Sequence, residues 1–600
     1  MRKLSIFFLA LAAGTMMFTG CKKDHQVVTL GLELENAPAG SKVVIDENHN
    51  PVILDGDEVN VNGTNYSVSV NGSGQYVVDV NEATDGNYYA AYPASLTTGF
   101  TGTTAQPVHL SRWQAYKHNN GVQDVQLPAG AVIANGGSKK LKFYNLGSLL
   151  EIQWTNTSSA AYEIIGIEVT VPDVALYGDG QANLAGTSSS MTFSDTKKNR
   201  VNLDIAEDDR ETVASNGTSR KYYVFLPTFS NKQVTVEIQT MKPTSAQTTS
   251  DDQKLKTVTV QTGSAVTLDR NKIVPVSFEG APKENNELTG YFSVRDNYKV
   301  VFSRGNLQHV ETNVHGTGTW KFADRQYDFF GQANLNTSGY DLTNTTDLFT
   351  WSNSITQSFG MLPYDYWNDE DGYYMGAEFR DWGYYKTISN DSPRTWHTLT
   401  NAEWYYLLHQ RVNGHGEDLY GKAKITGIKD MVATYNGSQQ TVAYGFILLP
   451  DDWTEDDLPS GLSFTPNSAN DTALHNNNTY TVSEWARMEA AGAMFLPAAG
   501  YGERYGQRED GDEYYEAYKV GQYWSSSKET DVYELEAAFL GFEYRTFSWV
   551  LKTNMVDYHQ GSLNTGYDKD FWYMRSVRLV KPAPGYTDPA GRSTVNQTQK

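Results

Sequence analysis

The stretch EVNVNGTNYSVSV, residues 58–70, contains two runs of alternating apolar and polar residues on either side of Asn62-Gly63. Alternation places successive side chains on opposite faces of a strand, so each run predicts a half-buried β-strand. Asn-Gly readily adopts the two positive φ angles of a type I′ turn, which predicts a β-hairpin at this point. The hairpin indicates that the chain starts as an antiparallel, β-rich structure.

The same strand pattern continues to residue 280, for example in VVTLGLEL (27–34), KLKFYNLGSLLEIQW (140–154) and QVTVEIQTM (233–241). Many short strands separated by turn residues predict β-sandwich domains. We therefore predict two sandwiches in tandem, 27–140 and 141–280. The polar, Pro- and Gly-containing stretch that follows predicts a linker at 281–289.

Aromatic residues are concentrated in the remaining part of the chain, since eleven of the thirteen Trp follow residue 288. Two short helices are predicted there by capping boxes, in which Thr400 precedes Glu403 and Thr481 precedes Glu484. In each helix we expect the Trp that follows the Glu to pack into the core. The pattern predicts an α+β domain at 290–582 and a disordered tail at 583–600.

The only cysteine, Cys21, lies in MMFTGCKKDH, residues 16–25. A positive start and a ten-residue apolar run, which is too short to span a bilayer, predict a signal peptide at 1–20. Phe18 to Cys21 resembles a bacterial lipobox, so we expect Cys21 to carry lipid and 21–26 to form the lipidated N-terminus. The alternative is a leftover thiol behind an ordinary signal. Lipidation predicts attachment to the outer membrane, and KKD after the cysteine resembles an export tag for the extracellular side.

Composition restricts the classes of function. A formal net charge of −22 argues against nucleic-acid binding, which depends on Lys and Arg contacts to phosphates. One cysteine cannot form an internal disulfide. The sequence contains no HExxH, P-loop or GxSxG motif. We predict no cofactor and no metal site, although the sequence leaves open whether calcium binds the acidic loops.

The first half resembles a known family. GDEVNVNGTNYSV, YYAAYPASL and LKFYNLGSLLEI occur in the order found in the fimbrillin-like surface lipoproteins of Bacteroidetes. The resemblance implies tandem β-sandwiches and an adhesive role as a pilus subunit, tip or anchor. Polymerising members are cut after an early Arg, whereas this chain has no Arg between Arg2 and Arg112. The absence of an early Arg favours a subunit that keeps its lipid or caps an assembly.

The second half resembles a module related to the Fibrobacter major paralogous domain. The motifs are DWG, WHTLTNAEW, LLPDDW, EAAGAMFLPAAGY, YWSSS and SVRLV, which span about 290 to 581. The resemblance implies a fold similar to formylglycine-generating enzymes and C-type lectins. Formylglycine generation requires active-site cysteines, and 290–582 has none, so that activity is excluded.

A candidate ligand-binding site lies at residues 362–379, LPYDYWNDEDGYYMGAEF, where aromatic rings alternate with acids. Trp367, Asp369, Tyr373 and Tyr374 are the residues that we expect to contact a ligand, because rings stack on sugars or anchor a protein partner. The alternative is that these aromatics close a core that has few long strands and helices.

The predicted fold class is mainly β, with tandem fimbrillin-like sandwiches followed by a C-type-lectin-like domain. The predicted function is non-enzymatic adhesion or recognition at the cell surface, with a glycan or protein ligand, the membrane and pilus subunits as partners. One alternative is a carbohydrate-binding lipoprotein of a glycan uptake system. Another is a glycoside hydrolase that uses paired carboxylates.

Overall fold

The computed structural model describes residues 26–35, 55–99, 101–119, 122–123, 127–134, 137–246, 254–311, 318–329, 345–349, 379, 381–411, 420–426, 441–453, 458–466, 477–504, 512–515, 520–530, 535–545, 548–552 and 573–592. This part of the chain is mainly β, with β-sandwich regions, many small sheets and few short helices, so the predicted fold class is confirmed at that level.

An eight-stranded sheet forms the first region. The first twelve strands are β1 (Val27–Leu34), β2 (Glu58–Val61), β3 (Thr64–Ser67), β4 (Ser69–Val70), β5 (Tyr76–Asn81), β6 (Tyr88–Tyr92), β7 (Ala105–Leu110), β8 (Trp113–Tyr116), β9 (His118–Asn119), β10 (Val122–Gln123), β11 (Ala129–Ile133) and β12 (Lys140–Asn145). Eight of them pair in the order β3-β2-β6-β11-β12-β1-β5-β4. A 3-10 turn, Ala94–Leu96, follows β6.

The hairpin predicted at Asn62-Gly63 is confirmed. Asn62 and Gly63 have φ angles of 51° and 82°, and Val61 pairs with Thr64 across the turn. Val59 and Val61 are both buried in the core of this sheet. The alternating pattern therefore correctly identifies the strands and their buried valines.

Thirteen strands follow, from β13 to β25. They are β13 (Ser148–Asn156), β14 (Tyr162–Thr170), β15 (Gly178–Asn183), β16 (Ser190–Phe193), β17 (Arg200–Ile205), β18 (Thr212–Val213), β19 (Tyr222–Leu226), β20 (Phe229–Lys232), β21 (Thr235–Met241), β22 (Lys256–Gln261), β23 (Val266–Leu268), β24 (Ile273–Gly280) and β25 (Lys283–Glu284). The main sheets have the orders β19-β13-β24 and β25-β22-β21-β14-β17-β8, and a large apolar core is shared by their strands. Short 3-10 turns lie at Gly186–Ser188, Glu207–Asp209 and Thr244–Ala246.

Strand pairing crosses the boundary predicted between residues 140 and 141. Strand β12 (140–145) pairs with β1 and β11 of the first sheet. In the other direction, β7 pairs with β15 and β8 pairs with β17 of the second region. Turn residues mark where a strand ends and not which strand it pairs with, so the sequence pattern could not locate this exchange.

The C-terminal region contains short sheets and three α-helices among its described residues. Its strands are β26 (Phe292–Arg295), β27 (Tyr298–Phe302), β28 (Leu307–Glu311), β29 (Gly318–Phe322), β30 (Thr345–Thr346), β31 (His397–Thr398), β32 (Tyr420–Thr426), β33 (Thr441–Leu448), β34 (Thr479–Thr481), β35 (Met494–Pro497), β36 (Tyr501–Arg504), β37 (Asp512–Tyr515), β38 (Val520–Thr530), β39 (Leu535–Arg545), β40 (Ser548–Lys552), β41 (Tyr573–Met574) and β42 (Leu579–Pro582). Its helices are α1 (Trp382–Tyr385), α2 (Asn401–Tyr405), which continues as a π-turn over Tyr406–Gln410, and α3 (Val482–Ala490).

Both predicted capping boxes are present, at the N-termini of α2 and α3. Trp404 and Trp485 are almost completely buried, as expected for core residues. Gly492 follows the end of α3 with a φ of 101°, a left-handed conformation that suits glycine after a helix. In the described residues, no helix combines the length and the apolar character needed to cross a bilayer.

A buried polar interface joins the second sandwich to the C-terminal region. Asp452 Oδ2 accepts a hydrogen bond from Arg200 Nη2 at 2.6 Å and forms an ion pair with Arg112 Nη1, also at 2.6 Å. Arg487 Nε donates a hydrogen bond to Asp204 Oδ1 at 2.9 Å, so a second ion pair crosses the same interface. The five charged residues of these two carboxylate–guanidinium sites come from both regions, which fixes the regions against each other.

Residues of the predicted linker, 281–289, contact both the second sandwich and the C-terminal region. Lys283 and Glu284 form β25, which pairs antiparallel with β22 of the second sandwich. Leu288 is buried in the core of the C-terminal region. Two residues of the predicted linker therefore extend a sheet of the second sandwich, and a third packs into the core of the C-terminal region.

The predicted disordered tail needs a correction, because residues 583–592 have a defined structure. Arg592 donates to both carboxylate oxygens of Glu403, at 2.8 and 2.6 Å, and to Asp588 Oδ2 at 3.0 Å. Arg295 also contacts Glu403, at 2.6 Å. These ion pairs tie the segment to the start of α2, a contact that composition could not predict. Residues 593–600 lie outside the described residues.

Candidate functional site

The binding residues predicted from sequence, Trp367, Asp369, Tyr373 and Tyr374, lie outside the described residues. The predicted lipidation site, Cys21, also lies outside them. Neither prediction is tested by the structure, so both stay predictions. The described residues contain a different candidate site.

That site is an open cleft of about 700 Å³, which we call the junction cleft, between the second sandwich and the C-terminal region. Its described lining consists of Lys254, Glu284, His309, Gly318, Thr319, Trp320, Lys321, Phe322, Lys386, Thr387, Ser389 and Asn390. Clefts of roughly 300–1,000 Å³ are typical of small-ligand sites and are common at domain interfaces. The volume is therefore sufficient for a few sugar rings or a short peptide.

The floor of the junction cleft comes from the β28–β29 hairpin. Trp320 of β29 is opposite His309 of β28, and their ring centroids are 4.8 Å apart. Trp320 is 8% exposed and Phe322 is 3% exposed, so both rings are mainly core residues. The hairpin consequently supplies a rigid floor and exposes only a small apolar area to a ligand.

A tight turn forms one wall of the junction cleft. Ile388 and Asp391 exchange two backbone hydrogen bonds, of 3.1 and 2.8 Å, around Ser389 and Asn390. The φ angles of the two central residues are 48° and 72°, which define a left-handed turn of the kind that closes hairpins. Asn tolerates this backbone well, and the turn leaves its side chain exposed at the cleft.

Two hydrogen bonds hold this turn against the floor. The backbone N–H of Ser389 donates to the carbonyl of Trp320 at 2.9 Å. In return, Ser389 Oγ accepts from the backbone N–H of Phe322 at 3.0 Å. The turn and β29 therefore form one preorganised surface rather than two independent loops.

The second sandwich supplies another wall of the junction cleft, through Lys254 and Glu284. Lys254 Nζ lies 3.0 Å from Glu284 Oε2 and 3.1 Å from Asp324 Oδ1, and Lys321 Nζ is 3.3 Å from the same Asp324 oxygen. Burial raises the pKa of Asp324, but the two ammonium groups outweigh burial and hold that pKa below its ordinary value. Asp324 is thus a carboxylate that neutralises lysines.

Lys386 differs from the other two lysines of the junction cleft. Its Nζ lies over the Trp320 ring, 5.5 Å from the centroid. It is half-buried, and burial lowers its pKa. Within the described residues, no carboxylate forms an ion pair with Lys386, so an aromatic face is the attractive partner that the structure gives to this ammonium group.

The chemistry of the junction cleft favours binding over hydrolysis. Glu284 is the one carboxylate among the described lining residues, and it is paired with Lys254. Glycoside hydrolysis commonly uses two carboxyl groups on opposite sides of the bond, one of them protonated. The described residues also contain no group of three or more His, Cys, Asp or Glu arranged for a metal ion.

The histidines of the C-terminal region give no alternative catalytic site in the described residues. His397 is almost completely buried in β31, and burial lowers its pKa to about 3. A neutral, buried imidazole is suited to a structural role in the core. The side chain of His409 and the whole of His415 lie outside the described residues.

Sequence reasoning did not identify the junction cleft. Lys254 and Lys386 are far apart in the chain, and neither belongs to a recognisable binding motif. The Ser389-Asn390 pair could have been identified as a turn, since both residue types favour turns. Its proximity to Trp320 depends on tertiary packing, for which the sequence carries no local signal.

Comparison with solved structures gives weak likenesses. A proposed cell adhesion protein from Bacteroides ovatus is 13% identical, with a TM-score of 0.26, and the match covers 43% of this chain and 95% of that one. A second, from Bacteroides uniformis, is 10% identical, with a TM-score of 0.24 and coverages of 42% and 93%. A minor pilin from Streptococcus agalactiae is 10% identical, with a TM-score of 0.18 and coverages of 43% and 97%.

No family model matches this chain. No curated protein matches it either.

Proposed function

We propose that this protein is a lipid-anchored cell-surface protein that recognises a saccharide through the junction cleft and thereby serves adhesion. The observation that carries the proposal is the cleft itself: a preorganised site of about 700 Å³, lined by hydroxyl, amide and ammonium groups on two rigid regions. Such groups hydrogen-bond sugar hydroxyls, and fixed walls reduce the entropy lost on binding.

Attachment to the membrane rests on the sequence around Cys21. Diacylation with N-acylation gives lasting attachment, because each buried CH₂ contributes about 0.8 kcal/mol. Changing Cys21 to Ser should release the protein into the soluble fraction. Cell fractionation with a salt wash tests this, and a variant that still sediments with membranes would contradict the lipid anchor.

The binding site is tested by filling the cleft. Thr387 is exposed at the junction cleft, so Thr387→Trp should block the site without disturbing the core. Thr64→Trp is the matched control, because Thr64 is an exposed residue on the edge strand β3 of the first sheet. An array of purified glycans should detect ligands for the unmodified chain and for Thr64→Trp, but not for Thr387→Trp.

Residues 362–379 are a second candidate site, because the sequence mixes rings and acids there. Changing Trp367 and Tyr373 to Ala should abolish glycan capture if that loop carries recognition. Full capture by this double variant, together with no capture by Thr387→Trp, would assign binding to the junction cleft. Full capture by Thr387→Trp, together with no capture by the double variant, would assign binding to residues 362–379. Circular dichroism must show that each variant is folded.

A further inference from the structure

We propose that the junction cleft selects acidic saccharides, whose carboxylate or sulfate group pairs with the ammonium group of Lys386. This inference rests on the proposed function, since it names the class of ligand for the same cleft. It starts from an imbalance of charge. The chain has a formal net charge of −22, whereas the described lining of the cleft has three lysines and one glutamate.

Two of the lysines are already neutralised by the protein. Lys254 contacts Glu284 and Asp324, and Lys321 contacts Asp324. Asp324 is buried beneath the lining, with a side chain that is 5% exposed. Among the described residues, Lys386 is the lining lysine that has no carboxylate within ion-pair distance, so the geometry assigns the available positive charge to it.

The environment of Lys386 makes this charge a strong partner for an anion. The side chain is half-buried against Trp320, so water solvates the ammonium group less than at an open surface. Electrostatic attraction increases as the surrounding dielectric falls. A ligand anion at Lys386 would replace the missing hydration and supply the anionic partner that the described part of the chain does not provide.

The remaining lining groups favour a saccharide over a protein partner. Thr319, Thr387 and Asn390 are exposed and offer two hydroxyl groups and an amide. Protein partners usually insert aromatic or apolar anchors into desolvated pockets. Here the rings of Trp320 and Phe322 are mainly buried, so they leave little aromatic surface for such an anchor to contact.

Lys386 is not expected to distinguish a carboxylate from a sulfate group. An ammonium group is a point charge that lacks the planar two-point geometry of arginine, and it pairs with carboxylate and sulfate alike. We therefore expect uronate and sulfated sugars both to bind. Probes that carry one or both groups distinguish the two sources of negative charge.

The test uses the full chain and three defined probes: a chondroitin sulfate hexasaccharide, hexagalacturonate and neutral cellohexaose. We expect both acidic probes to bind about tenfold more tightly than cellohexaose, a difference of about 1.4 kcal/mol. Added salt should weaken that binding, because it screens charge. Lys386→Met should reduce the affinity for the acidic probe about tenfold.

Lys198→Met is the matched control. Lys198 Nζ also lies 5.5 Å from an aromatic centroid, that of Tyr177, and it lies outside the cleft lining. This variant should bind the acidic probe as tightly as the unmodified chain. Thermal unfolding of both variants confirms that they are folded.

Other outcomes overturn the proposal in distinguishable ways. If cellohexaose binds as tightly as the acidic probes and Thr387→Trp blocks it, the cleft binds sugars but does not select charge. If Lys198→Met loses as much affinity as Lys386→Met, the acidic probe binds diffusely and not at Lys386. If none of the probes binds, the charge selection fails, and the glycan array with Thr387→Trp then decides the proposed function by itself.

Discussion

Two places between the second sandwich and the C-terminal region use charge in opposite ways. At the buried interface, Asp452 receives two guanidinium groups, from Arg112 and Arg200, and all three side chains are mainly buried. In the junction cleft, Lys386 has a ring beneath it and no carboxylate among the described residues. Charges that the protein pairs within itself hold regions together, whereas a charge that it leaves half-buried and unpaired is suited to a ligand.

The largest effect is expected at the buried interface. Asp452→Ala would leave Arg112 and Arg200 buried, with Glu168 as the carboxylate that remains within ion-pair distance among the described residues, at 3.3 and 3.7 Å. Removing one partner of a buried ion pair typically costs about 3–5 kcal/mol. Urea denaturation should show this loss in the free energy of unfolding, with a fall in the midpoint.

The control for Asp452→Ala is an exposed ion pair of the same sandwich. Asp173 contacts Lys232 at 3.6 Å, and its side chain is 86% exposed. Asp173→Asn should cost less than about 1 kcal/mol, because water already solvates both charges and Asn tolerates the positive φ at this position. Equal effects of the two variants would contradict the contrast between buried and exposed charge.

The next effect concerns the ion pairs of the C-terminal segment and depends on pH. Burial raises the pKa of Glu403, but Arg592 outweighs burial and lowers that pKa to about 2 from 4.5. Because the folded pKa lies below the unfolded value, the stabilisation is complete above pH 4.5 and is lost as the pH falls toward 2. Arg592→Met should remove about 2–3 kcal/mol at neutral pH.

The measurement for Arg592→Met is the denaturation midpoint between pH 7 and pH 2.5. The unmodified chain should lose stability steeply below pH 4.5, while the variant starts lower and loses less. Arg295 remains beside Glu403 and preserves part of the effect. Parallel curves for the two proteins would show that Arg592 does not couple to this carboxylate.

A smaller effect is expected from the helix cap that the sequence itself revealed. Thr400 Oγ1 accepts from the backbone N–H of Glu403 at 3.2 Å. Thr400→Ala should destabilise the protein by about 0.5–2 kcal/mol, the usual cost of losing an N-cap. Thr481→Ala in α3 is the parallel case, and unchanged midpoints in both would mean that the caps contribute nothing to stability.

The smallest effect on stability is expected at Lys386, although the effect of this residue on binding is expected to be about tenfold. Lys386→Met removes a half-buried charge that has no carboxylate partner within the described residues, so the free energy of unfolding should change by less than about 0.5 kcal/mol. Calorimetry on the sample used for binding measures this directly. A large loss of stability would make Lys386 a structural residue and would remove the contrast with Asp452.

Local features were predictable from the sequence because their physics is local. The Asn62-Gly63 turn and the two capping boxes each depend on groups no more than three residues apart, and all three are present. Strand alternation likewise identified the β-rich class. Which strands pair was not predictable, since β7 and β8 cross into the second region through contacts over long sequence separations.

The sequence by itself therefore determined the fold class, the hairpin and the helix starts, because periodicity and capping act between near neighbours. Tertiary structure alone decided the pairing of Arg200 with Asp452, which are 252 residues apart, and the position of Lys386 over Trp320. A lysine in a sequence carries the same charge everywhere. Only packing decides whether a carboxylate reaches it, and hence whether its charge stabilises the fold or is left for a ligand.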